Sequence, residues 1–482
     1  MDNWIKKQAA LTPTRAAVVD KEKTITFAQL AEYTDKLGRK LAGLDALNNK
    51  KIAILTNNSL AGYLTAMGIL NAGHTIVWLN RRLSAPELNY QLNDSQVDVC
   101  LYEDQLDASQ LSCRTISFSE LDSASEKSFA PQQVFAAKDA ASIMYTSGTT
   151  GRPKGVIQTF GNHFSSATAS ALNLGVTPAD EWLCTVPIFH ISGFSIMMRG
   201  LIYGMTVRLV SHFDAAKIQQ ILVNEPVTMI SVVPFMLKKL LTIKQETGAQ
   251  YQKRFRGMLL GGGPIDQATL KQCEQLQLPV IQSYGMTETC SQIVALSFAD
   301  AAKHIGSSGK PLFLTQLRLD QNTQEIQLKT PALSPGYLGK QEKYAAKITT
   351  DGWFKTGDIG HFDKDGFLYV HGRSDDMIIS GGENIFPDEV ESAYAKCPFL
   401  EDIAVLGVAD DKWEQKPIAF VIPNEQTLLA QDLIDYGRQH LAHYKVPKNF
   451  YLVKQLPHNT SGKLQRFKLR EGLTSGQVKE LQ

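Results

Sequence analysis

Through roughly the first three hundred residues, short apolar runs alternate with stretches of helical character. Lys51–Thr56 reads as a strand, Leu60–Asn71 as a helix and Thr75–Leu79 as the next strand, a βαβ rhythm. It recurs at Ser142–Tyr145, Trp182–Val186, Thr206–Val210, Met229–Val233, Gly257–Leu260 and Val280–Ser283. This spacing predicts an α/β fold with a largely parallel, helix-covered sheet. Beyond that point turn-rich pieces such as Lys329–Gly336 and Asp363–Gly366 separate short strands, so a more β-rich region follows. After Arg373 the pattern becomes mixed, with helices over Pro387–Ala395 and Leu428–His443 and strands over Ile403–Leu406 and Pro417–Val421. The expected division is a large domain over 1–373, a junction at 374–376 and a small α+β domain over 377–482.

The length of 482 residues exceeds what one hydrophobic core serves. Lys plus Arg number 49 and Asp plus Glu 48, so no bulk field draws in nucleic acid or an anionic membrane, and an anion must be held locally. The six scattered cysteines show no CxxC pair and no zinc-ligand spacing, which suits reduced thiols in a cytoplasmic protein. The first residues lack the apolar core of a secretory signal. Ala61–Leu79 is apolar but broken by Asn71 and His74, so a buried helix and strand is the expected reading, not a membrane span. The oligomeric state is not legible, and a homo-oligomer is compatible with the sequence.

The strongest chemical signal is Tyr145-Thr-Ser-Gly-Thr-Thr-Gly-Arg-Pro-Lys-Gly155. Glycines let backbone N–H groups approach oxygens, hydroxyls add donors, and Lys154 offsets charge, a composition suited to a polyphosphate. It is not a P-loop of the G-x-x-x-x-G-K-[ST] kind, because Pro153 precedes Lys154 and Gly155 follows it.

That segment resembles the phosphate loop of the adenylate-forming superfamily, which includes acyl-CoA synthetases, peptide-synthetase adenylation domains and luciferases. The superfamily's other stations appear in order along nearly the whole chain. The resemblance implies that Thr146, Ser147, Gly148, Thr149, Thr150, Gly151 and Lys154 bind ATP phosphates. It implies that Gly262 and Gly263, in Gly261-Gly-Gly-Pro264, let backbone approach the adenine. In Ser283-Tyr-Gly-Met-Thr-Glu-Thr289 the superfamily stacks the tyrosine near adenine, sets the threonine on phosphate and uses the glutamate for Mg²⁺, here Tyr284, Thr287 and Glu288. Read alone, the same segment also has a weaker reading as a strand end and a helix start capped by Thr287. Asp358 and Arg373 match the ribose pair, and Lys463, in Pro457-His-Asn-Thr-Ser-Gly-Lys-Leu-Gln-Arg466, matches the catalytic lysine of adenylation. His458 departs from the Arg or Lys usual in the superfamily. Asp375 matches the hinge, and Gly381 and Gly382 the loop that admits CoA, although a plain hairpin turn also explains that glycine pair.

Further resemblance, in Gln158–His163, Ser170–Gly175, Ile188–Gly193, Ile202–Val207 and Cys290–Val294, is to the branch of the superfamily whose acid is 2-succinylbenzoate, in menaquinone biosynthesis. It implies an AMP-forming acid–thiol ligase with ATP, Mg²⁺ and CoA. His190 then stands at a gate near acyl group and ATP, with Ser192, Arg199 and Thr289 about the acyl pocket and Ser291 and Gln292 nearby. Arg199 reads either as counterion to the spectator carboxylate or as a solvated helix arginine. The alternatives are a synthetase for another aryl or fatty acid and, from a different class, a non-catalytic nucleotide-binding protein.

Overall fold

A computed structural model describes residues 1–21, 23–44, 50–146, 153–380, 383–424, 428–458 and 464–481. The described residues form four sheets. One has nine strands, parallel from Ala16–Asp20 through Thr206–Leu209, Glu181–Cys184, Met229–Val232 and Gly257–Leu260 to Val280–Met286, with antiparallel strands at both edges. A second has seven strands, parallel over Arg114–Ser117, Val99–Tyr102, Lys51–Leu55, Thr75–Leu79 and Ala140–Thr146, then antiparallel through Lys154–Thr159 to Gly336–Tyr337. The parallel strands expected from the rhythm divide between two sheets, each ending in antiparallel strands on at least one edge.

The βαβ unit at Lys51–Leu79 keeps its expected bounds closely, with a helix over Leu60–Asn71 whose Ser59 cap accepts from the Gly62 N–H at 3.0 Å. That helix is apolar on nearly all sides and joins one large core with elements of both sheets. No described helix is long and apolar enough to cross a membrane. The β-rich region is a four-stranded antiparallel sheet, which includes Phe354–Phe362 and Leu368–Arg373.

From Ile378 onward the strands build a sheet of their own around the Leu400–Asp410 and Glu414–Pro423 hairpin, and two cores contain only residues beyond that point. The fold is therefore a large domain with a small carboxy-terminal one. Between them Ser374–Asp376 forms one turn of 3-10 helix.

Candidate active site

The site lies where three sheets meet, at the carboxy-terminal ends of parallel strands, the usual position for ligands in open α/β sheets. Strand Val280–Met286 ends in a 3-10 turn, Thr287–Thr289. This turn is tied to each neighbouring sheet. Gln158, on a strand of the seven-stranded sheet, donates from Nε2 to the Thr287 carbonyl at 2.8 Å. The Tyr337 hydroxyl, from the same sheet, donates to Glu288 Oε1 at 2.8 Å. Tyr284 reaches the four-stranded sheet, where its hydroxyl donates to Asp358 Oδ2 at 2.7 Å.

Asp358 and Arg373 are cross-strand partners, with Arg373 Nε 3.3 Å from Asp358 Oδ1. Asp358 is only 8% exposed, and Gly357 before it has a φ of 81°. Burial opposes the Arg373 charge, but Asp358, Tyr284 and Glu288 outweigh it and hold the guanidinium above its ordinary range. Burial, with Asp358 alongside, drives the Tyr284 phenol well above its usual value, so it remains a donor. Tyr284 thus holds the carboxylate assigned to ribose, a contact its expected stacking role did not include.

The strand after the phosphate segment was not legible in the sequence. Thr146 and Lys154 are antiparallel partners, so the strands on either side of the segment pair with each other. Ser147, Gly148, Thr149, Thr150 and Gly151 lie outside the described residues. Lys154 Nζ sits 5.2 Å from the centre of the Tyr337 ring. Burial and the nearby Lys347 and Lys343 lower its pKa, with Glu288 opposing them. Gly262, at φ 87°, and Gly263 follow strand Gly257–Leu260 and are exposed.

Thr287 does not cap a helix; the residue that closes the turn is Thr289. Its hydroxyl accepts from the Met286 N–H at 3.1 Å and donates to the Ser291 carbonyl at 2.8 Å, and the residue is fully buried. Cys290 and Ser291 then take φ of 53° and 121°, the second a costly backbone state for a residue with a side chain. That strain turns Ser291 toward Arg199.

Arg199 is not a solvated arginine. It is 1% exposed, on helix Ile191–Tyr203, which is apolar nearly all round. That feature was the available sequence signal for its burial. Its Nη2 donates to Gln292 Oε1 at 2.7 Å and Ser291 Oγ at 3.1 Å, and its guanidinium lies 5.2 Å from the Trp182 ring. Gln292 is braced in turn by donating to Ser170 Oγ at 2.9 Å. Nε is buried without a partner, and among the described residues no carboxylate pairs with Arg199. Burial lowers its pKa, with Tyr203 partly compensating. His163, next to this cluster and 3.2 Å from Ser142 Oγ, is driven down to about 3 by burial and by Arg199.

His190 is the N-cap residue of that helix and is half-buried; burial, with Arg82 adding to it, lowers its pKa to about 4. Ser192 lies in the first turn, where its carbonyl accepts from Ser195 Oγ at 3.3 Å. Asp375 stands in the junction turn. Gly381, Gly382 and Lys463 lie outside the described residues, although the antiparallel bridge His458↔Leu464 and the Gln465 N–H to Pro457 carbonyl bond, at 2.7 Å, hold the chain on either side of the lysine segment.

Tyr337 was not foreseen. Pro335-Gly-Tyr-Leu-Gly339 reads only as a turn, and nothing local announces that its ring would reach both Glu288 and Lys154. The six cysteines are free, and five are buried. Burial pushes Cys184 and Cys273 up to about 12, and Cys290 higher still.

A hairpin between Ala140–Thr146 and Lys154–Thr159, the Asp358–Arg373 pair and a small domain joined by one short turn accord with the fold of an adenylate-forming enzyme. The chain belongs to the AMP-binding enzyme family, whose model matches residues 5–338, with the AMP-binding enzyme C-terminal domain matching 389–463. It is 44% identical over 475 residues to 2-succinylbenzoate–CoA ligase of Listeria monocytogenes serovar 1/2a, covering 98% of this chain and 99% of the relative. The ligase of the same name from Geobacillus sp. strain WCH70 is 42% identical, covering 97% of each. Among solved structures, o-succinylbenzoate CoA synthetase from Bacillus subtilis in complex with the acyl-adenylate intermediate OSB-AMP superposes with a TM-score of 0.93 at 39% identity, covering 98% of both chains. The same enzyme with ATP and magnesium gives 0.90 at 39% identity, covering 98% of this chain and 99% of that one.

Proposed function

We propose that this protein is an AMP-forming acid–thiol ligase that converts 2-succinylbenzoate, ATP and CoA to 2-succinylbenzoyl-CoA, AMP and diphosphate, as its relatives' names describe. The observation that carries the choice of acid is Arg199, a buried cation whose partners among the described residues are neutral. A buried charge of this kind calls for an anion. An acid with a second carboxylate supplies one beyond the reacting group; a fatty acid or a simple aryl acid does not.

In the first half-reaction one oxygen of the succinyl carboxylate attacks the α-phosphorus of ATP. The bond from that phosphorus to the bridging oxygen breaks, and diphosphate leaves. Two anions must meet, and opposing charge at ~4 Å is worth about 4 kcal/mol at an effective dielectric of 20. We assign that charge to Lys463 and Lys154, with Thr146 and the segment 147–151 donating to phosphate and Thr287 beside them. Asp358 and Arg373 orient the ribose, and Gly262 and Gly263 leave room for the base. Mg²⁺ fits one carboxylate plus phosphate oxygens, and Glu288, its other lone pairs free of Tyr337, is the residue to hold it. Magnesium bound to ATP offsets phosphate charge.

In the second half-reaction the CoA thiolate attacks the carbonyl of the acyl-adenylate, and AMP leaves with the bonding electrons. We assign the exchange between the two steps to a rotation of the small domain (377–482) against the large one (1–373) about 374–376, at Asp375, with Gly381 and Gly382 near the entering thiol. We assign His190, neutral at physiological pH and the N-cap residue of the helix that carries Arg199, to the gate near the acyl group and ATP. The free thiols support a reducing, cytoplasmic setting.

The test is turnover of 2-succinylbenzoate, benzoate, succinate and octanoate with ATP and Mg²⁺, with and without CoA, following diphosphate, AMP and thioester. We expect 2-succinylbenzoyl-CoA to form far faster than any other thioester. Preference for octanoate or benzoate would retain the family chemistry and remove this acid.

A further inference from the structure

The described residues at both ends of the phosphate segment run into one cluster of side chains drawn from distant parts of the chain. The Pro153 carbonyl accepts from the Tyr90 hydroxyl at 3.1 Å and from Lys340 Nζ at 3.4 Å. The same ammonium donates to the Tyr90 hydroxyl and to Asp94 Oδ1, each at 3.0 Å. Asp94 Oδ2 accepts from the Tyr145 hydroxyl at 2.8 Å, one residue before Thr146. Entry and exit of the segment therefore share one carboxylate–ammonium pair.

The piece of chain that carries Lys340 is itself tied to the site. Gly336 and Tyr337 pair with Ile157 and Val156, the Leu338 N–H donates to the Gly155 carbonyl at 2.8 Å, and Tyr337 meets Glu288. Burial opposes the Lys340 charge, but Tyr90 and Asp94 outweigh it and hold the ammonium above its usual range. Burial, with Asp94 adding to it, keeps the Tyr145 phenol protonated as a donor.

Desolvation of the partly buried Lys340 and Asp94 offsets much of their mutual attraction, so the pair adds little as a brace for the fold. Its contribution to geometry is larger, since misplacing a binding group by ~1 Å costs on the order of 100-fold in rate. We propose that Tyr90, Asp94 and Lys340 are positioning residues that fix the span between Tyr145 and Pro153, and so preset the phosphate segment for the part of ATP beyond the α-phosphate. This rests on that segment being the triphosphate cradle.

The experiment compares ATP and AMP binding by calorimetry, together with the KM for the acid, in Lys340→Met, Lys340→Arg, Tyr90→Phe and Lys154→Ala full-length proteins. Lys340→Met should weaken ATP about tenfold, the effect of losing a charged hydrogen bond, and leave AMP affinity and acid KM within about twofold. Lys340→Arg should recover most of the loss, and Tyr90→Phe should weaken ATP about threefold with AMP unchanged. Equal weakening of ATP and AMP, or no change in either, overturns the proposal; should Lys340→Met fail to fold, Tyr90→Phe decides it alone. Lys154→Ala separates the two levels. If it weakens ATP while Lys340→Met and Tyr90→Phe do not, the clamp is wrong; if it leaves ATP binding unchanged, the cradle reading itself fails.

Discussion

Two buried polar regions flank the Thr287–Thr289 turn, and they balance charge in opposite ways. On the nucleotide side each charge meets a partner within the protein: Asp358 has Arg373 and Tyr284, and Glu288 has Tyr337 with Lys154 close by. On the acyl side the partners of Arg199 among the described residues are neutral: Gln292, Ser291, Tyr203 and the Trp182 ring. In the first region the charges are paired within the protein, although Arg373 Nε is buried without a hydrogen-bond partner, so under the function proposed above it holds a nucleotide through fixed geometry at little reorganisation. The second lacks an anion among the described residues, and under the function proposed above that is what discriminates among acids by charge. One turn serves both: its Glu288 faces the first, and the strained Cys290–Ser291 backbone just after it delivers Ser291 to the second.

The largest expected effect belongs to a residue in neither region. Lys463→Ala should lower adenylation by roughly 100- to 1,000-fold, the range for removing one transition-state donor, and largely spare thioester formation from supplied acyl-adenylate. Single-turnover assays of each half-reaction decide this. Equal loss of both would mean that the lysine serves a single fixed arrangement, and the division of labour between domains would fall.

Arg199→Met tests the comparison most directly, because binding and stability should move in opposite directions. Losing a buried charged partner costs about 2–5 kcal/mol of binding, so KM for 2-succinylbenzoate should rise at least thirty-fold, while a monocarboxylic acid is little affected. The free protein should melt at the same or a higher temperature, since an apolar side chain replaces an uncompensated buried charge. A large drop in Tm with unchanged acid preference would make Arg199 a structural residue and erase the contrast between the regions.

What the sequence made legible follows the range of the interactions involved. Leu60–Asn71 and Thr75–Leu79 depend on local periodicity, a Ser59 cap and nearby glycines, and were readable within a residue or two. The order of site residues was readable through resemblance, because each sits in a short run of its own. The Lys154–Thr159 strand was hidden, since its partners Ala140–Thr146 and Gly336–Tyr337 include one nearly two hundred residues away, and Gly155 and Pro153 suggested loop. Tyr337, Tyr90 and Lys340 were missed for the same reason: their roles exist only after distant strands pair. The burial of Arg199 was legible in principle from an apolar helix with a single charge.

Acidification should report on the acyl side. His163 titrates near about 3 and His190 near about 4 in the folded protein, both lowered by burial, against about 6.5 when unfolded. Between those values the unfolded chain binds more protons, so their contribution is complete above about pH 6.5 and is lost as pH falls through 4 toward 3. Tm measured from pH 8 to 4 should therefore fall below about 6.5. Arg199 is one cause of the His163 shift, so Arg199→Met should raise the His163 pKa, read by NMR of the ring protons. An unchanged His163 titration would mean that burial alone sets it and that the charge on Arg199 is already neutralised by a group not among those described.

The smallest effect is expected at the residue between the two regions. Cys290 has its thiol fully buried and pushed far above the range where a thiolate forms, so it offers no nucleophile, and the chemistry proposed requires none. What its position contributes is backbone: the Cys290 carbonyl accepts from Ser166 Oγ at 2.9 Å, and its φ of 53° starts the bend toward Ser291. Cys290→Ala keeps the carbonyl and the bend and removes only a sulfur atom, so both half-reactions should stay within about twofold and stability should fall by about 1 kcal/mol, the scale of a small cavity. Cys290→Val puts a β-branched side chain at a positive φ, and should reduce both acid affinity and adenylation because the same turn carries Ser291 and Glu288. If Cys290→Ala abolished turnover in a folded protein while Cys290→Val behaved no worse, the thiol would be chemically engaged, and the mechanism without a protein nucleophile would have to be abandoned.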